Sequence, residues 1–140
     1  MKVDTCLLCD AATVREGLLH ILGGGITEAS RPEYPAPLGM ALAMRIMMHP
    51  TELGGPHRVD VILNDEDGQR VTNFNVDIGV PELPPEGIPA GVEPEIMFAW
   101  DFPGRPQLPH PGKYSFEVLI DNQHQLSVPF SAVLQGGEQQ

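Results

Sequence analysis

Two cysteines, Cys6 and Cys9, have the spacing that zinc sites and redox pairs use. Zinc normally needs a second such pair or two closely spaced histidines, but the histidines are scattered at positions 20, 49, 57, 110 and 124. Positions i and i+3 of a strand point to opposite faces, so the two sulfurs could share an ion only in a broken strand. A redox pair would need a helix N-terminus to lower a thiol pKa. We predict two unpaired thiols, one buried and one nearer the surface.

The acidic segment 64–68, with the sequence NDEDG, has half the composition of a calcium-binding loop. An EF-hand loop needs Gly at its sixth position, Glu at its twelfth and helices on both sides, whereas the flanks here alternate like strands. A hairpin turn is therefore the predicted structure. One alternative stays open, in which this turn converges with Asp101 and Asp121 on one ion at the end of a sandwich.

No group of residues forms a recognisable catalytic site. Nucleophilic catalysis needs a Ser or Cys beside a base and an orienting group. None of the serines lies in a strained strand-to-helix turn; they are Ser30, Ser115, Ser127 and Ser131. The glycines at 23–25 are not followed by Lys-Ser/Thr, so we predict a bulge or bend there and no phosphate loop. We predict no enzyme activity, no cofactor, and no catalytic or metal-binding residue.

Charge narrows the range of partners. The chain has 8 Lys and Arg against 19 Asp and Glu, a net charge of −11, so phosphate backbones and anionic headgroups repel it. We predict that it binds neither nucleic acid nor membranes. Asp4 and Asp10 interrupt the apolar run that a secretory signal would need, so a cytoplasmic location with reduced thiols is expected.

Glycine and proline divide the chain into short segments. Together they make up 30 of its 140 residues, and the longest stretches free of both are 1–16 and 113–128. Neither a coiled coil nor a membrane-spanning helix fits this pattern. The 41% hydrophobic content indicates a folded chain. We predict a single domain over residues 1–134, followed by a short polar tail at 135–140.

Apolar and polar residues alternate in segments typical of strands half-buried in antiparallel sheets. These segments are 3–9, 18–22, 40–48, 58–63, 71–78, 96–102, 114–120 and 126–130. The first two are predicted to pair around a loop at 11–17, which could instead contain one helical turn. Two further hairpins are predicted around turns at 64–68 and 121–124. About eight strands predict an all-β fold, an antiparallel two-sheet sandwich of the immunoglobulin-like type, with a closed barrel less favoured.

Several details refine this fold prediction. Nine of the fifteen prolines fall within residues 81–111, which predicts long Pro-rich loops around the strand at 96–102. Tyr114, just inside a strand, has the position of the tyrosine that pins a corner in immunoglobulin-like sandwiches. Met40, Met44 and Met48 are predicted core residues. The opposite stripe, at residues 41, 43 and 47, is apolar and should pack under a loop or, alternatively, against another subunit.

Several segments resemble a family of small uncharacterised bacterial domains. They are residues 7–12 (LLCDAA), 17–25 (GLLHILGGG), 41–46 (ALAMRI), 65–69 (DEDGQ), 85–91 (PEGIPAG), 111–114 (PGKY) and 128–130 (VPF). The resemblance implies an all-β fold of this size and no established activity, so no catalytic residue is carried over. Family members commonly have a small residue at the position of Cys9, which argues against a shared functional thiol there.

These observations predict a non-enzymatic interaction or structural module. It would bind another protein, or a second copy of itself, through its Pro-rich loops or an exposed sheet edge. The alternative function is a ligand-binding or metal-binding domain that uses the acidic turns or the thiols.

Overall fold

The computed structural model describes residues 1–79, 86–87, 89–102 and 105–136. Within them lie twelve strands and one short 3-10 helix at Pro50–Glu52. The strands are β1 (Lys2–Cys9), β2 (Ala11–Arg15), β3 (Leu18–Leu22), β4 (Glu28–Arg31), β5 (Ala36–Pro37), β6 (Ala41–Met47), β7 (Pro56–Asp65), β8 (Arg70–Gly79), β9 (Glu95–Trp100), β10 (Gln107–Leu108), β11 (Gly112–Ile120) and β12 (Gln123–Leu134). The all-β prediction is confirmed. Eight strands were too few, because β2, β4, β5 and β10 are too short or too polar to show a clear alternation.

Two larger sheets carry the fold. One has three strands in the order β1-β6-β9, and the other has five in the order β4-β12-β11-β7-β8. Two further pairs, β2-β3 and β5-β10, form small sheets of their own. Neighbours are antiparallel except β4, which runs parallel to β12, so the prediction of a purely antiparallel fold was wrong at that strand. Before β4, the chain leaves the β2-β3 hairpin and bonds to Leu8 of β1 through the N–H groups of Gly25 and Ile26.

A single main core joins the inner faces of the two larger sheets. Its fully buried residues include Leu42, Met44 and Ile46 from β6 and Val61 and Phe116 from the five-stranded sheet. The core also contains Met40 and Met48, so the predicted methionine stripe is confirmed. Phe116 stacks on Phe102 and Phe130, with ring centroids 5.2 Å and 5.7 Å apart.

The first hairpin differs from its prediction. β1 pairs with β6, and residues 11–15 form the strand β2, which pairs with β3. Glu16 and Gly17 connect them, both with positive φ, and such two-residue turns match the twist of antiparallel strands. The predicted pairing of 3–9 with 18–22 was therefore wrong, and so was the alternative of a helical turn. The short turn at Glu16 and Gly17 pairs β3 with β2, and β1 pairs with β6 instead.

This β2-β3 hairpin covers the second face of the three-stranded sheet. Cys9, Ala41 and Ala43 are buried there against Ala12, Leu19 and Ile21. The apolar stripe at residues 41 and 43 is therefore covered by the chain itself, and the part of the argument for self-association that rested on it is removed.

The remaining hairpins follow the sequence closely. β7 and β8 pair around the predicted acidic turn, and β11 and β12 pair around Asp121 and Asn122, whose φ values are 49° and 66°. Tyr114 is buried and its hydroxyl donates to the carbonyl oxygen of His110 at 2.5 Å, so the predicted tyrosine corner is present.

The Pro-rich region is described only in part. The strand predicted at 96–102 is β9. Residues 80–85, 88 and 103–104 of this region, and residues 137–140 of the tail, lie outside the described residues. Over the described ranges, no helix has the length and apolar character to span a membrane.

Candidate functional site

The two thiols lie on opposite faces of β1, as predicted. Cys6 packs against the main core, whereas Cys9 is buried under the β2-β3 hairpin, where its Sγ donates to the carbonyl oxygen of Ala41 at 3.4 Å. Both cysteines are free. Burial raises the pKa of Cys6 to about 12 and also raises that of Cys9. Neither thiol is poised as a nucleophile, because the thiolate is the reactive form.

The acidic turns do not converge. Asp65 accepts hydrogen bonds from the backbone N–H groups of Asp67 and Gln69 at 3.0 Å and 2.9 Å, so it stabilises the β7-β8 turn. Asp121 lies at the opposite end of β7, roughly 20 Å away at the rise of a strand. Among the described residues, no three His, Cys, Asp or Glu side chains form a group that could hold a metal ion. The idea that these turns share one ion was wrong.

One Ser-His-carboxylate group does occur, on the exposed face of β11 and β12. Glu117 accepts hydrogen bonds from the hydroxyls of Ser115 and Ser127, and its Oε1 lies 2.8 Å from Nε2 of His124. Burial raises the pKa of Glu117, but these hydrogen bonds outweigh it and the net shift is downward. A catalytic triad places the acid and the serine on different nitrogens of the imidazole. Here Ser127 and Glu117 both face the same nitrogen, Ser127 at 3.4 Å, so the arrangement is not that of a triad.

The described residues also form an open groove, here called the edge groove, of about 710 Å³ between the β8 edge of one sheet and the β9 edge of the other. It is lined by residues 73–76 of β8 and by residues 99–101 at the end of β9. Phe74 and Trp100 meet edge to face with centroids 6.4 Å apart, and Phe102 lies 5.0 Å from Phe74. Both Phe74 and Trp100 are only partly buried, so the edge groove exposes aromatic surface.

The groove-side backbone of β8 has no strand partner in the part of the chain that the structure describes. The carbonyl of Arg58 in β7 accepts a hydrogen bond from the N–H of Asp121, and its own N–H donates to the Asp121 side chain. Both backbone groups of Arg58 therefore face β11, so Val59 and Val61 direct their N–H and C=O groups towards β8. Their partners in β8 are Val76 and Phe74. The residues between and beside these partners, Asn73, Asn75 and Asp77, must then point their backbone groups away from β7. Within the described residues, no other strand pairs with this edge.

The same reasoning applies to β9. The N–H of Met48 donates to the carbonyl of Pro94, on the β9 side of β6, so alternate residues of β6 also face β9. Their partners are Ile96, Phe98 and Trp100. The intervening residues of β9, at 95, 97 and 99, therefore direct their backbone groups away from β6, and Ala99 lines the edge groove. Among the described strands, β8 and β9 are each paired on one side only, and their other edges flank a partly apolar groove.

The polar groups around the edge groove are neutral or acidic. Asn73, Asn75 and Asp101 line it, and Asp77 is exposed on the same strand as the two asparagines. Glu95, at the start of β9, lies 3.9 Å from Arg45, but Arg45 makes a closer ion pair with Asp4 at 2.7 Å. One guanidinium therefore faces two carboxylates. The edge groove and the strands beside it can therefore form backbone hydrogen bonds with an added segment, accept apolar side chains and attract positive charge.

Sequence reasoning did not find the edge groove. Its residues belong to predicted strands, but alternation does not show which strands end a sheet. The one available signal was the sequence of β8. Its asparagines alternate with Phe74 and Val76, and the strand contains neither the proline nor the lysine that often protects a sheet edge.

The fold and the edge groove define an all-β domain with an open sheet edge. The chain belongs to the family of unknown function DUF6941, whose model matches residues 4–133, so the predicted resemblance to an uncharacterised family is confirmed. Among curated proteins, no sequence matches the chain. Among solved structures, an immunoglobulin-like protein from Pseudomonas aeruginosa is similar over 94% of both chains, with 17% identity and a TM-score of 0.42. A score at this level supports no statement about function.

Proposed function

We propose that this protein is a non-enzymatic interaction module that binds an extended segment of another protein by strand addition to β8. The observation that carries the proposal is the outer edge of β8, which no described strand pairs with and where Asn73, Asn75 and Asp77 direct their backbone groups away from β7. An extended segment that adds to such an edge gains main-chain hydrogen bonds, while pockets for alternate side chains give specificity.

The edge groove supplies those pockets. Side chains directly opposite each other in a strand pair lie on the same face of the sheet. Residues of the added segment that stand opposite Phe74 and Val76 would therefore enter the groove, where Trp100 is also partly exposed. The two larger sheets would act as the layers of an immunoglobulin-like sandwich that is open on this side.

Selection of peptides from a random displayed library tests this proposal. The Asn75→Pro variant removes one outward N–H but no bond to β7, and Asn75→Ala is the matched control that keeps the N–H. We expect selected peptides to bind the wild type and Asn75→Ala and to lose binding to Asn75→Pro. Hydrogen exchange should show that bound peptide protects the amides of residues 73, 75 and 77.

Two results would overturn the proposal. One is that no peptide is selected on the folded protein. The other is that the selected peptides bind Asn75→Pro as tightly as the wild type and leave the β8 amides unprotected. Thermal unfolding of each variant establishes that it is folded, and protection in the wild type tests the site without any substitution.

A further inference from the structure

We propose that the segment that adds to β8 is cationic, with Lys or Arg alternating with apolar residues. This inference rests on the proposed function and names the chemistry of its partner. It is carried by the position of carboxylates along the two free edges, beside a groove whose floor is aromatic.

The charges near the edge groove are unbalanced. Asp77, Glu95 and Asp101 belong to or directly follow the two edge strands, and Arg70, at the far end of β8, is their only basic residue. Asp101 also lines a neighbouring pocket with Asp10 and Arg105, again two carboxylates for one guanidinium. Arg58 of β7 stands opposite Asp77 in register, but its guanidinium binds the carboxylate of Asp60. The strands that a bound segment would contact therefore present net negative charge.

The register of β8 predicts where positive charge would lie in the bound segment. Asn75 and Asp77 are exposed on the outer face of the sheet, whereas Phe74 and Val76 turn towards the interior. Residues of the segment opposite Asn75 and Asp77 would stand on the outer face, within reach of the Asp77 carboxylate. The intervening residues would enter the groove against Phe74. Alternate Lys or Arg and apolar side chains satisfy both faces.

A cationic partner also fits the charge of the whole chain better than a second copy does. Each copy carries a net charge of −11, so two copies that meet edge to edge repel each other. The same field attracts a basic segment and speeds its association at low salt.

Four synthetic ten-residue peptides test the inference. Three share alternate valines and differ only in the remaining positions, which are Lys, Ser or Glu. The fourth is the Lys peptide with N-methylated backbone amides along its pairing edge. Calorimetry on the full chain at two salt concentrations measures binding, and hydrogen exchange locates it. We expect the Lys peptide to bind tightest, to weaken with salt and to lose binding on N-methylation.

Charge variants separate local attraction from the overall charge. Asp77→Asn combined with Asp101→Asn should weaken binding of the Lys peptide by about fivefold, which is what two partly exposed ion pairs contribute. The control, Asp67→Asn together with Glu28→Gln, makes the same change in net charge at the β7-β8 turn and on β4, at the opposite end of the five-stranded sheet, and should leave affinity within about twofold.

The outcomes distinguish this inference from the proposed function. If the Ser or Glu peptide binds β8 as tightly as the Lys peptide and N-methylation abolishes binding, strand addition stands and the cationic preference is wrong. If sedimentation shows a dimer that Asn75→Pro abolishes, the partner is a second copy and the cationic segment is again wrong. If N-methylation has no effect and β8 stays unprotected, strand addition itself fails.

Discussion

The two sides of the fold treat their sheet edges differently. On one side, the edge of β1 is covered by the chain: the carbonyl of Leu8 accepts hydrogen bonds from the N–H groups of Gly25 and Ile26, both at 2.9 Å, and the N–H of Val3 donates to the Gln125 side chain at 3.3 Å. The chain then continues into β4, which pairs with β12 at one end of the five-stranded sheet. On the other side, β8 and β9 have one strand partner each within the described residues.

Because of this contrast, we expect substitutions on the two sides to affect different properties of the protein. On the covered side, the chain's own crossing segment and the Gln125 side chain bond to backbone groups of β1. An exposed strand edge is normally protected by lysine, proline or a bulge, because it can pair with another chain. On the side of β8 and β9, the described edges carry asparagines and partly exposed aromatic rings, and the one bulge of β8 lies at Val71, outside the edge groove. The covered side should therefore respond to substitutions through stability, and the open side through binding.

The largest expected effect is in the core that both sides share. Phe116→Ala removes a fully buried ring that stacks on Phe102 and Phe130, and should lower the free energy of unfolding by about 3–5 kcal/mol. Phe74→Ala, at the partly exposed edge groove, should cost less than half as much. Urea denaturation measures both. Equal losses would show that the aromatic rings of the edge groove are as deeply packed as the core.

The tyrosine corner gives the next largest effect. Tyr114→Phe removes the hydroxyl of a buried tyrosine that donates to the carbonyl of His110, and should cost about 1–2 kcal/mol. Tyr34→Phe is the matched control: its hydroxyl donates to the carbonyl of Val133 at 2.8 Å, but the tyrosine itself is only half-buried, so the loss should be smaller. If Tyr114→Phe leaves the free energy of unfolding unchanged, the tyrosine corner does not stabilise the fold.

A pH-dependent effect is expected at the end of β7. The hydrogen bond between His57 and Asp121, 2.6 Å apart, raises the pKa of His57 above 6.5 despite partial burial. Protonated His57 therefore stabilises the fold fully below pH 6.5, and this contribution is lost as pH rises through the raised pKa. It should amount to less than about 1 kcal/mol.

Urea denaturation at pH 5.5 and 8.5 measures this contribution. The stability difference between the two pH values should shrink in Asp121→Asn and persist in Asp67→Asn, which carries the same charge change away from His57. An unchanged difference in Asp121→Asn would contradict a role for this pair. Peptide binding at β8 should be the same in both variants, because Asp121 lies on the β11 side of β7 and Asp67 lies in the β7-β8 turn.

The smallest expected effect is the sharpest test of the open side. Asn75→Pro should change the free energy of unfolding by no more than about 0.5–1 kcal/mol, because its N–H faces away from β7. Thermal denaturation beside Asn75→Ala checks this. A loss above about 2 kcal/mol would mean that the fold itself uses this N–H, and the two sides would then be alike.

Much of this fold could be predicted from local patterns. The alternation at Met40, Met44 and Met48 identified the buried face of β6, and the position of Tyr114 identified the corner. The pairing of β1 could not be predicted in the same way. Several strands with similar alternation compete for it, and the choice depends on contacts between residues more than 30 positions apart, such as Cys9 with Ala41.

The sequence by itself determined eight of the twelve described strands and the hairpin turns at 64–68 and 121–124, because period-two alternation and turn residues act locally. It also determined the net charge that makes a basic partner favourable. The tertiary structure alone decided that the β2-β3 hairpin covers Cys9 and Ala43, and that β8 and β9 end their sheets beside a common groove. Which strands end a sheet depends on the competition among all strands for partners, and no segment carries that information alone.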